Sequence, residues 1–160
     1  MAFDHTVKFG HECKVYNNTG THASPSWNEL NIVKDVTLNM SQNESDITSR
    51  AGKGYVMTAG TLIDASIAFS VTWDPDASAD FSELQTAFFD RNPVELLILD
   101  GPNDEAGNEG LQAFFVVTNF TRNEAIAEAV SADLTCKITK NPREAGNEIT
   151  DVPKWVVSTS

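Results

Sequence analysis

Residues 62–73, LIDASIAFSVTW, alternate almost without error between larger apolar side chains and small or polar ones. One set contains Ile63, Ala65, Ile67, Phe69, Val71 and Trp73, and the other contains Asp64, Ser66, Ala68, Ser70 and Thr72. Successive side chains of a strand point to opposite faces, so this period of two predicts a half-buried antiparallel strand. The segment therefore has one face for a core and one small, polar face for solvent.

Several other segments predict strands. AEAVSADLTCKITK alternates in the same way, with Val130, Ala132, Leu134, Cys136 and Ile138 on its apolar face. ELNIVKDVTLNMS places Leu30, Ile32, Val36, Leu38 and Met40 on one face, interrupted only by Lys34. PVELLILD and LQAFFVVTNF are continuously apolar, which predicts strands that are covered on both sides or lie at a subunit contact. GHECKVYNN and PKWVVST are weaker strand candidates.

One segment, SADFSELQTAFFDRN, predicts a helix. Phe81, Leu84 and Phe88 form an apolar stripe at helical spacing, and Asp80 and Glu83 have the spacing of a capping box. The length of 160 residues favours a single domain spanning residues 1–160. We therefore expect a mostly β fold, a two-sheet antiparallel sandwich or barrel with one flanking α-helix.

Two segments lie outside this regular pattern. Residues 42–60 have little periodicity, and so long an inter-strand loop is either functional or disordered. We expect the loop to be mobile in the free subunit and ordered by contact with a neighbour. The C-terminal tail, residues 141–160, ends in the exposed apolar run Trp155, Val156 and Val157, which needs a surface to pack on.

Charge and apolar content exclude several classes of function. The chain has 23 acidic and 11 basic residues, a net charge of −12, which argues against holding nucleic acid through its phosphates. No run approaches the length of a membrane span or of a signal peptide's apolar region, so we expect a soluble protein without membrane contact. Cys13 and Cys136 are expected to be buried free thiols.

The candidates for catalytic or metal chemistry each lack a required feature. The histidines lack metal-ligand spacing and lie far from any carboxylate pattern, so we expect them to be polar surface residues. An aspartate-rich stretch starts like a calcium loop but lacks its glycine and closing glutamate. SRAGKGY lacks the spacing of a phosphate loop. We therefore expect no enzyme activity, no metal and no cofactor. The residues considered were His5, His11, His22, Asp74, Asp76, Ser78 and Asp80.

The order of the segments resembles that of the major tail tube proteins of long-tailed bacteriophages. The resemblance depends on KDVTLNMSQNESDITSRAGKGY, with Asp46, Thr48 and Arg50 opening the loop, then ASIAFSVTWDP, then LQAFFVVTNFTRNEAIAEAVSADLTCKITKN. It covers most of residues 10–140. It implies a two-sheet fold with a flanking helix, shared with the tubes of contractile tails and type VI secretion. The tail after residue 140 departs from the family pattern.

The resemblance also implies an assembly and its partners. Six subunits would close a ring, and stacked rings would form a channel through which DNA leaves without specific binding. The partners would be further copies of the chain and the tail tip or baseplate, tape measure and tail terminator proteins. Assembly in the host cytoplasm and a final place in the virion tail are expected.

We assign candidate residues to three surfaces of such a tube. The polar strand faces would form a weakly acidic wall that does not bind a passing polyanion. The expected lumen residues are Asp64, Ser66, Ser70, Thr72, Ser131, Asp133 and Thr135. The expected ring-stacking residues are Asn43, Glu44, Asp46, Thr48, Arg50, Lys53 and Tyr55. Trp155 and Val157 are expected to make a tail contact.

Two other classes of function stay open at this point. A β-sandwich module that binds sugar or peptide would be expected to expose aromatic side chains on a concave sheet. Phe69 and Trp73 instead share the apolar register of their strand. A hydrolase on a β-scaffold would need a cluster of acids or histidines, which the sequence alone does not reveal.

Overall fold

The computed structural model describes residues 7–74 and 79–159, which form ten strands and one α-helix. The strands are β1 (Lys14–Asn18), β2 (Trp27–Glu29), β3 (Val33–Asp46), β4 (Thr58–Thr72), β5 (Val94–Leu99), β6 (Glu109–Asn123), β7 (Ser131–Ile138), β8 (Arg143–Glu144), β9 (Asn147–Glu148) and β10 (Lys154–Val157). The helix is α1 (Ala79–Asp90), and short 3-10 turns cover Gly10–Glu12 and Arg50–Gly52. The predicted mostly β architecture with one helix is confirmed.

Eight strands belong to one antiparallel sheet. Its order is β2–β1–β5–β6–β7–β4–β3, and β10 also pairs with β6. β8 and β9 form a separate two-stranded hairpin. The described strands form no closed barrel, because the edge strands β2 and β3 do not pair with each other.

The long strand β6 joins the two halves of the sheet. Leu111, in its first half, pairs with Ile98 of β5 and with Trp155 of β10. Val117, in its second half, pairs with Cys136 of β7. β10 therefore pairs with the first half of β6 and β7 with the second half. The two predicted sheets are thus joined into one, because both contain β6.

The main core lies between the two halves and α1. It includes Leu96 from β5, Ile67 from β4, Leu134 from β7 and Phe81 from the helix, all at most 1% exposed. Ala65, Ile67, Phe69 and Val71 are buried as the alternation of β4 predicts. Ala65 is the last buried residue towards the start of β4, and Ile63, the next residue of the same alternating set, is 63% exposed.

β5 and residues 110–117 of β6 are covered on both sides within the chain. Leu96 and Ile98 face the main core, whereas Leu97 and Leu99 form a second cluster with Tyr16. Phe114 of β6 forms a third cluster with Ile149 and Val152 of the tail. The alternative of a two-sided cover is thus confirmed, and these runs give no argument for a subunit contact.

A β-bulge in β3 corrects the predicted position of Lys34. Lys34 pairs with Ser70 and Thr37 with Ala68, so β3 holds one extra residue there, and Asp35 has a φ of 53°. An extra residue exchanges the two faces of a strand. Val33 therefore lies opposite the core residue Val71, and Lys34 lies on the exposed polar face rather than interrupting the apolar one.

The helix buries the predicted stripe. Phe81 and Leu84 are each 1% exposed, and Phe88 packs on Phe120 with stacked rings 5.6 Å apart. Trp73 packs edge-on against Phe81 at 4.7 Å, so its predicted place beside the core is confirmed. No helix among the described residues is long and apolar enough to cross a membrane.

The cysteine prediction is confirmed only in part. Both described cysteines are free thiols, but Cys13 is exposed and only Cys136 is buried. Burial raises the pKa of the Cys136 thiol to about 12, so this sulfur stays protonated and unreactive. Of the residues considered for metal chemistry, His5, Asp76 and Ser78 lie outside the described residues.

Candidate assembly surfaces

The structure brings the expected lumen residues of β4 and β7 onto one face. Ser70 lies directly opposite Asp133, and Thr72 lies opposite Ser131. Ser66 and Thr135 belong to the same alternating positions, and Asp64 continues the face beyond the end of β7, opposite Ser41 of β3. We call this surface the polar face.

Hydrogen bonds fix the position of the Asp133 carboxylate. The Ser70 hydroxyl donates to Oδ1, and Asn123 Nδ2 donates to Oδ2 at 2.7 Å. The hydrogen bond from Ser70, followed by that from Asn123, lowers the pKa of Asp133 below its usual value. Asp133 is therefore ionised at neutral pH, and it links β7 to both of its neighbours in the sheet.

The polar face is less acidic than the sequence predicts. Lys34, displaced onto it by the bulge, lies opposite Ser70, and Lys137 lies opposite Ser66. Both lysines are exposed. The two aspartates of this face, Asp64 and Asp133, are thus balanced by two lysines.

Much of the predicted loop 42–60 is a two-stranded ribbon. β3 and β4 continue to pair from Met40 opposite Ala65 to Asp46 opposite Thr58. Only residues 47–57 connect the strands, so the prediction of an irregular loop is wrong for residues 42–46 and 58–60. We call residues 40–64 the arm and residues 47–57 its tip. The expected stacking residues Asn43, Glu44 and Asp46 lie on β3, and Thr48, Arg50, Lys53 and Tyr55 lie in the tip.

The arm projects beyond the main core. β7 pairs with β4 only from Ser66 onward, so residues 58–65 of β4 pair with β3 alone. Large apolar side chains are consequently left in solvent along the arm. They are Met40, Ile47, Tyr55, Val56, Met57, Leu62 and Ile63, with exposed fractions from 39% to 78%.

The tip is held by hydrogen bonds of its own. The Ile47 amide donates to the Met57 carbonyl at 3.0 Å, and the Met57 amide donates to Thr48 Oγ1 at 2.9 Å. The Thr48 amide donates to Asp46 Oδ1 at 2.8 Å. Hydrogen bonding to Thr48 lowers the pKa of Asp46, so this carboxylate stays ionised and keeps its place in the turn.

The C-terminal tail is docked on its own domain. Val156 packs against the cluster of Tyr16, Leu97 and Leu99, while Trp155 and Val157 are each 53% exposed. The indole Nε1 of Trp155 donates to Glu109 Oε2 at 3.3 Å. The exposed pair is therefore oriented outward by β10 rather than loose.

A histidine between two carboxylates ties this tail to the sheet, and sequence reasoning missed it. His22 Nδ1 lies 2.8 Å from Glu95 Oε1, and Nε2 lies 2.6 Å from Asp151 Oδ1. The side chain of Glu95 is 4% exposed, and it also accepts hydrogen bonds from Asn18 at 2.8 Å and Gln112 at 2.6 Å. The expectation that His22 is a surface residue remote from carboxylates is wrong.

Burial and hydrogen bonding act in opposite directions on His22. Burial disfavours the charged ring, but hydrogen bonds to Glu95 and Asp151 outweigh it and raise the pKa of His22 above 6.5. The hydrogen bond from His22 lowers the pKa of Asp151. Glu144 adds a further anchor, since its carboxylate accepts from the backbone amides of His22 and Ala23 at 2.9 and 3.1 Å.

Comparison with solved structures identifies the architecture. A chain from the tail of an empty gene transfer agent (GTA) particle aligns with a TM-score of 0.65 at 18% identity, over 83% of this chain and 95% of that chain. A chain of the SPP1 tail tube aligns with a TM-score of 0.65 at 11% identity, over 82% of this chain and 76% of that chain. The chain has a tail tube fold. The resemblance of the sequence to tail tube proteins is thereby confirmed at the level of fold.

A similar fold occurs in a third kind of particle. A chain from the baseplate of the anti-feeding prophage aligns with a TM-score of 0.58 at 9% identity, over 88% of this chain and 95% of that chain. No protein-family model matches the sequence, and no curated protein sequence matches it significantly. The described part of this tail tube fold contains no group of three or more histidine, cysteine, aspartate or glutamate residues placed to hold a metal ion.

Proposed function

We propose that the chain is the structural subunit of a tail tube, which closes into six-membered rings that stack around a channel for DNA. The observation that carries this proposal is the fold shared with chains of assembled tails. The GTA tail is described with C6 symmetry, which supports six subunits in a ring. No enzyme activity is part of the proposal, because the neighbours are components of tails and baseplates.

The polar face is the surface best suited to line the channel. Ser66, Ser70, Thr72, Ser131 and Thr135 are small, so they leave space for a polymer to pass. Asp64 and Asp133 repel phosphates, whereas Lys34 and Lys137 attract them, which gives a nearly neutral surface. A polyanion would be neither bound tightly nor excluded by such a wall.

The arm is the surface best suited to join one ring to the next. Exposed apolar side chains in such number are unusual on a lone soluble domain and mark a contact with another protein. The strongest support for this role comes from Tyr55 and Val56 at the tip, whose exposed fractions are 77% and 78%. Trp155 and Val157 form a second candidate contact at β10.

The remaining partners follow from the place of a tube in a virion. Tail tip or baseplate, tape measure and tail terminator proteins would contact its ends and lumen, after assembly in the host cytoplasm. The alternative of a ligand-binding β-sandwich is disfavoured by the aromatic residues, since Phe69 is 3% exposed and Trp73 packs against the core.

Electron microscopy and sedimentation of the purified chain test the proposal. We expect rings or tubes with a central pore when the protein is concentrated to tens of micromolar. A variant in which Gly-Ser linkers replace residues 48–56 should keep the monomer fold, since the main core contains no tip residue, but should lose stacking. Its control is a shorter Gly-Ser replacement, of residues 125–128 in the exposed β6–β7 turn. A wild-type chain that stays monomeric and forms no rings or tubes would contradict the proposal.

A further inference from the structure

The arm tip carries basic charge beside its exposed apolar side chains. Arg50 and Lys53 are both exposed, and neither takes part in an ion pair within the described residues. Asp46, the acidic residue nearest to them in sequence, already accepts from the Thr48 amide. In a chain of net charge −12, the tip is thus a local positive surface that also exposes Tyr55 and Val56.

A surface of complementary character lies around β10. Trp155 and Val157 are exposed there, and so is Glu109 of β6. Val157 pairs with Glu109, whose carboxylate accepts from the Trp155 indole. The 100–108 loop, which carries the exposed acids Asp104 and Glu105, reaches the residue after Val157, because Ser158 Oγ donates to the Asn103 carbonyl at 2.7 Å. We call Asp104, Glu105, Glu109, Trp155 and Val157 the β10 patch.

The chain itself holds this patch in place. The Gly107 amide donates to the Ser158 carbonyl at 2.9 Å, and the Ser158 amide donates to the Asn108 carbonyl at 2.7 Å. Lys8 Nζ donates to Asn108 of the same loop at 2.8 Å, so one positive charge lies beside the three acids, whereas Lys154 Nζ contacts Asp151 at 3.4 Å. The patch therefore presents a preformed apolar centre with a net acidic rim.

We propose that the arm tip of one copy docks on the β10 patch of a second copy, with Arg50 and Lys53 facing its acids and Tyr55 and Val56 packing on Trp155 and Val157. This inference rests on the proposed tube function and names the surface that receives the arm. An apolar centre with a complementary charged rim is the usual organisation of a specific interface.

The two surfaces lie on different parts of the chain, so the contact is heterologous. A copy that offers its tip to one neighbour keeps its β10 patch free for the arm of another. Heterologous contacts propagate until a ring or a stack is formed, whereas a self-complementary patch would stop at a dimer. The pairing thus explains growth without requiring a second kind of subunit.

Charge exchange within one chain tests the pairing. Arg50→Glu with Lys53→Glu, and separately Asp104→Lys with Glu109→Lys, should each raise the protein concentration needed for tube formation by about tenfold or more, because like charges then face each other. The variant with all four changes should restore assembly to near the wild-type concentration. Asp90→Lys with Glu128→Lys, two exposed acids remote from both surfaces in sequence, is the matched control for charge reversal and should assemble as wild type.

The possible outcomes separate this inference from the proposed function. If wild-type tubes form but the fourfold variant assembles no better than the two double variants, the pairing is wrong and the tube function stands. If the wild-type chain forms neither rings nor tubes, both are wrong. Circular dichroism and urea unfolding of every variant establish that lost assembly does not reflect lost folding.

Crosslinking gives a second readout that does not depend on charge. In a Cys13→Ser background, Tyr55→Cys with Val157→Cys should yield a ladder of covalent multimers when assembled protein is treated with a short bismaleimide. Cys136 is fully buried and should not react. Tyr55→Cys with Ile126→Cys, an exposed site in the β6–β7 turn, should give no ladder. A ladder from the control pair alone would overturn the proposed docking.

Discussion

The His22 network should make the stability of the folded chain depend on pH. His22 faces Glu95 of β5, Asp151 of the tail and, through its backbone amide, Glu144 of β8, while Lys154 contacts Asp151 from the far side. Only the doubly protonated ring can donate to both carboxylates at once. The neutral His22 ring has one N–H donor, so one of the two carboxylates then faces a nitrogen lone pair and receives no hydrogen bond. Deprotonation should therefore weaken the hold of the sheet on residues 149–152.

The direction of the effect follows from the two pKa shifts. The pKa of His22 is raised in the fold, so its contribution is complete below the unfolded value of 6.5 and is lost as pH rises through the folded value. The pKa of Asp151 is lowered, so its contribution is complete above the unfolded value of 3.8 and is lost as pH falls through its folded value. The charged pair therefore stabilises the fold most between about pH 4 and pH 6.5.

The two sides of His22 should differ in magnitude. The Asp151 side chain is 56% exposed, so solvent screens its contact, and the share of this contact in the loss at high pH should be about 1 kcal/mol. The Glu95 side chain is 4% exposed, so removing His22 altogether leaves a buried carboxylate without its cation, at a cost of roughly 3–5 kcal/mol. Asp151→Asn should therefore flatten the pH dependence mildly, and His22→Asn should destabilise the fold across the whole range.

Urea unfolding at pH 5.5, 7 and 8.5 measures these differences, with Asp104→Asn as the control for loss of one exposed carboxylate. Proton NMR of the His22 ring should show a lower pKa in Asp151→Asn than in the wild type. Hydrogen exchange of residues 149–157, corrected for intrinsic rates, should quicken at high pH in the wild type. An Asp151→Asn variant with the same decline in unfolding free energy as the wild type would refute the reasoning.

Two further predictions concern the proposed channel wall and the close packing of β6 on β5 at Gly110. Changing Asp64 and Asp133 to lysine should leave the core and the tubes intact. The tubes should then retain DNA in co-sedimentation at low salt, because the new cations add to Lys34 and Lys137. Variant tubes that bind no more DNA than wild-type tubes would mean that the polar face does not line the channel. Gly110→Ala should lower the unfolding free energy by at least about 3 kcal/mol, since an added Cβ would lie 1.5 Å from the backbone oxygen of Ile98. Gly10→Ala, with nothing within 4 Å of its Cβ, is the control, and equal thermal stability of the two variants would contradict this account.

The sequence predicts those parts of the fold that depend on local periodicity. The buried positions of β4 from Ala65 to Val71, the corresponding positions of β7, and the stripe of α1 follow from spacing alone. The bulge that moves Lys34 does not, because no glycine or asparagine marks it, and Asp35 adopts the positive φ. The sequence also does not indicate where burial stops along β4, because this depends on the point at which β7 ends.

The candidate surfaces are predictable to a similar degree. The polar face and the place of Lys137 on it follow from alternation, but the place of Lys34 does not, because the bulge moves it there. His22 has partners that lie 73 and 129 residues away in the chain, so no local spacing could indicate them. The arm was predicted as an irregular loop because polar and apolar residues mix along a ribbon that is exposed on both faces.

The independence of the arm from the core makes its length adjustable. β3 and β4 pair with each other alone beyond Ser66, so residues inserted into both strands would leave the packing of β7 and α1 untouched. Two residues added to each strand would keep every side chain on its face and move the tip outward by about 7 Å, whereas one residue would exchange the faces. Arm length is thus a dimension that evolution or an engineer can change in steps of two residues, altering the spacing between joined copies without redesigning the domain that carries it.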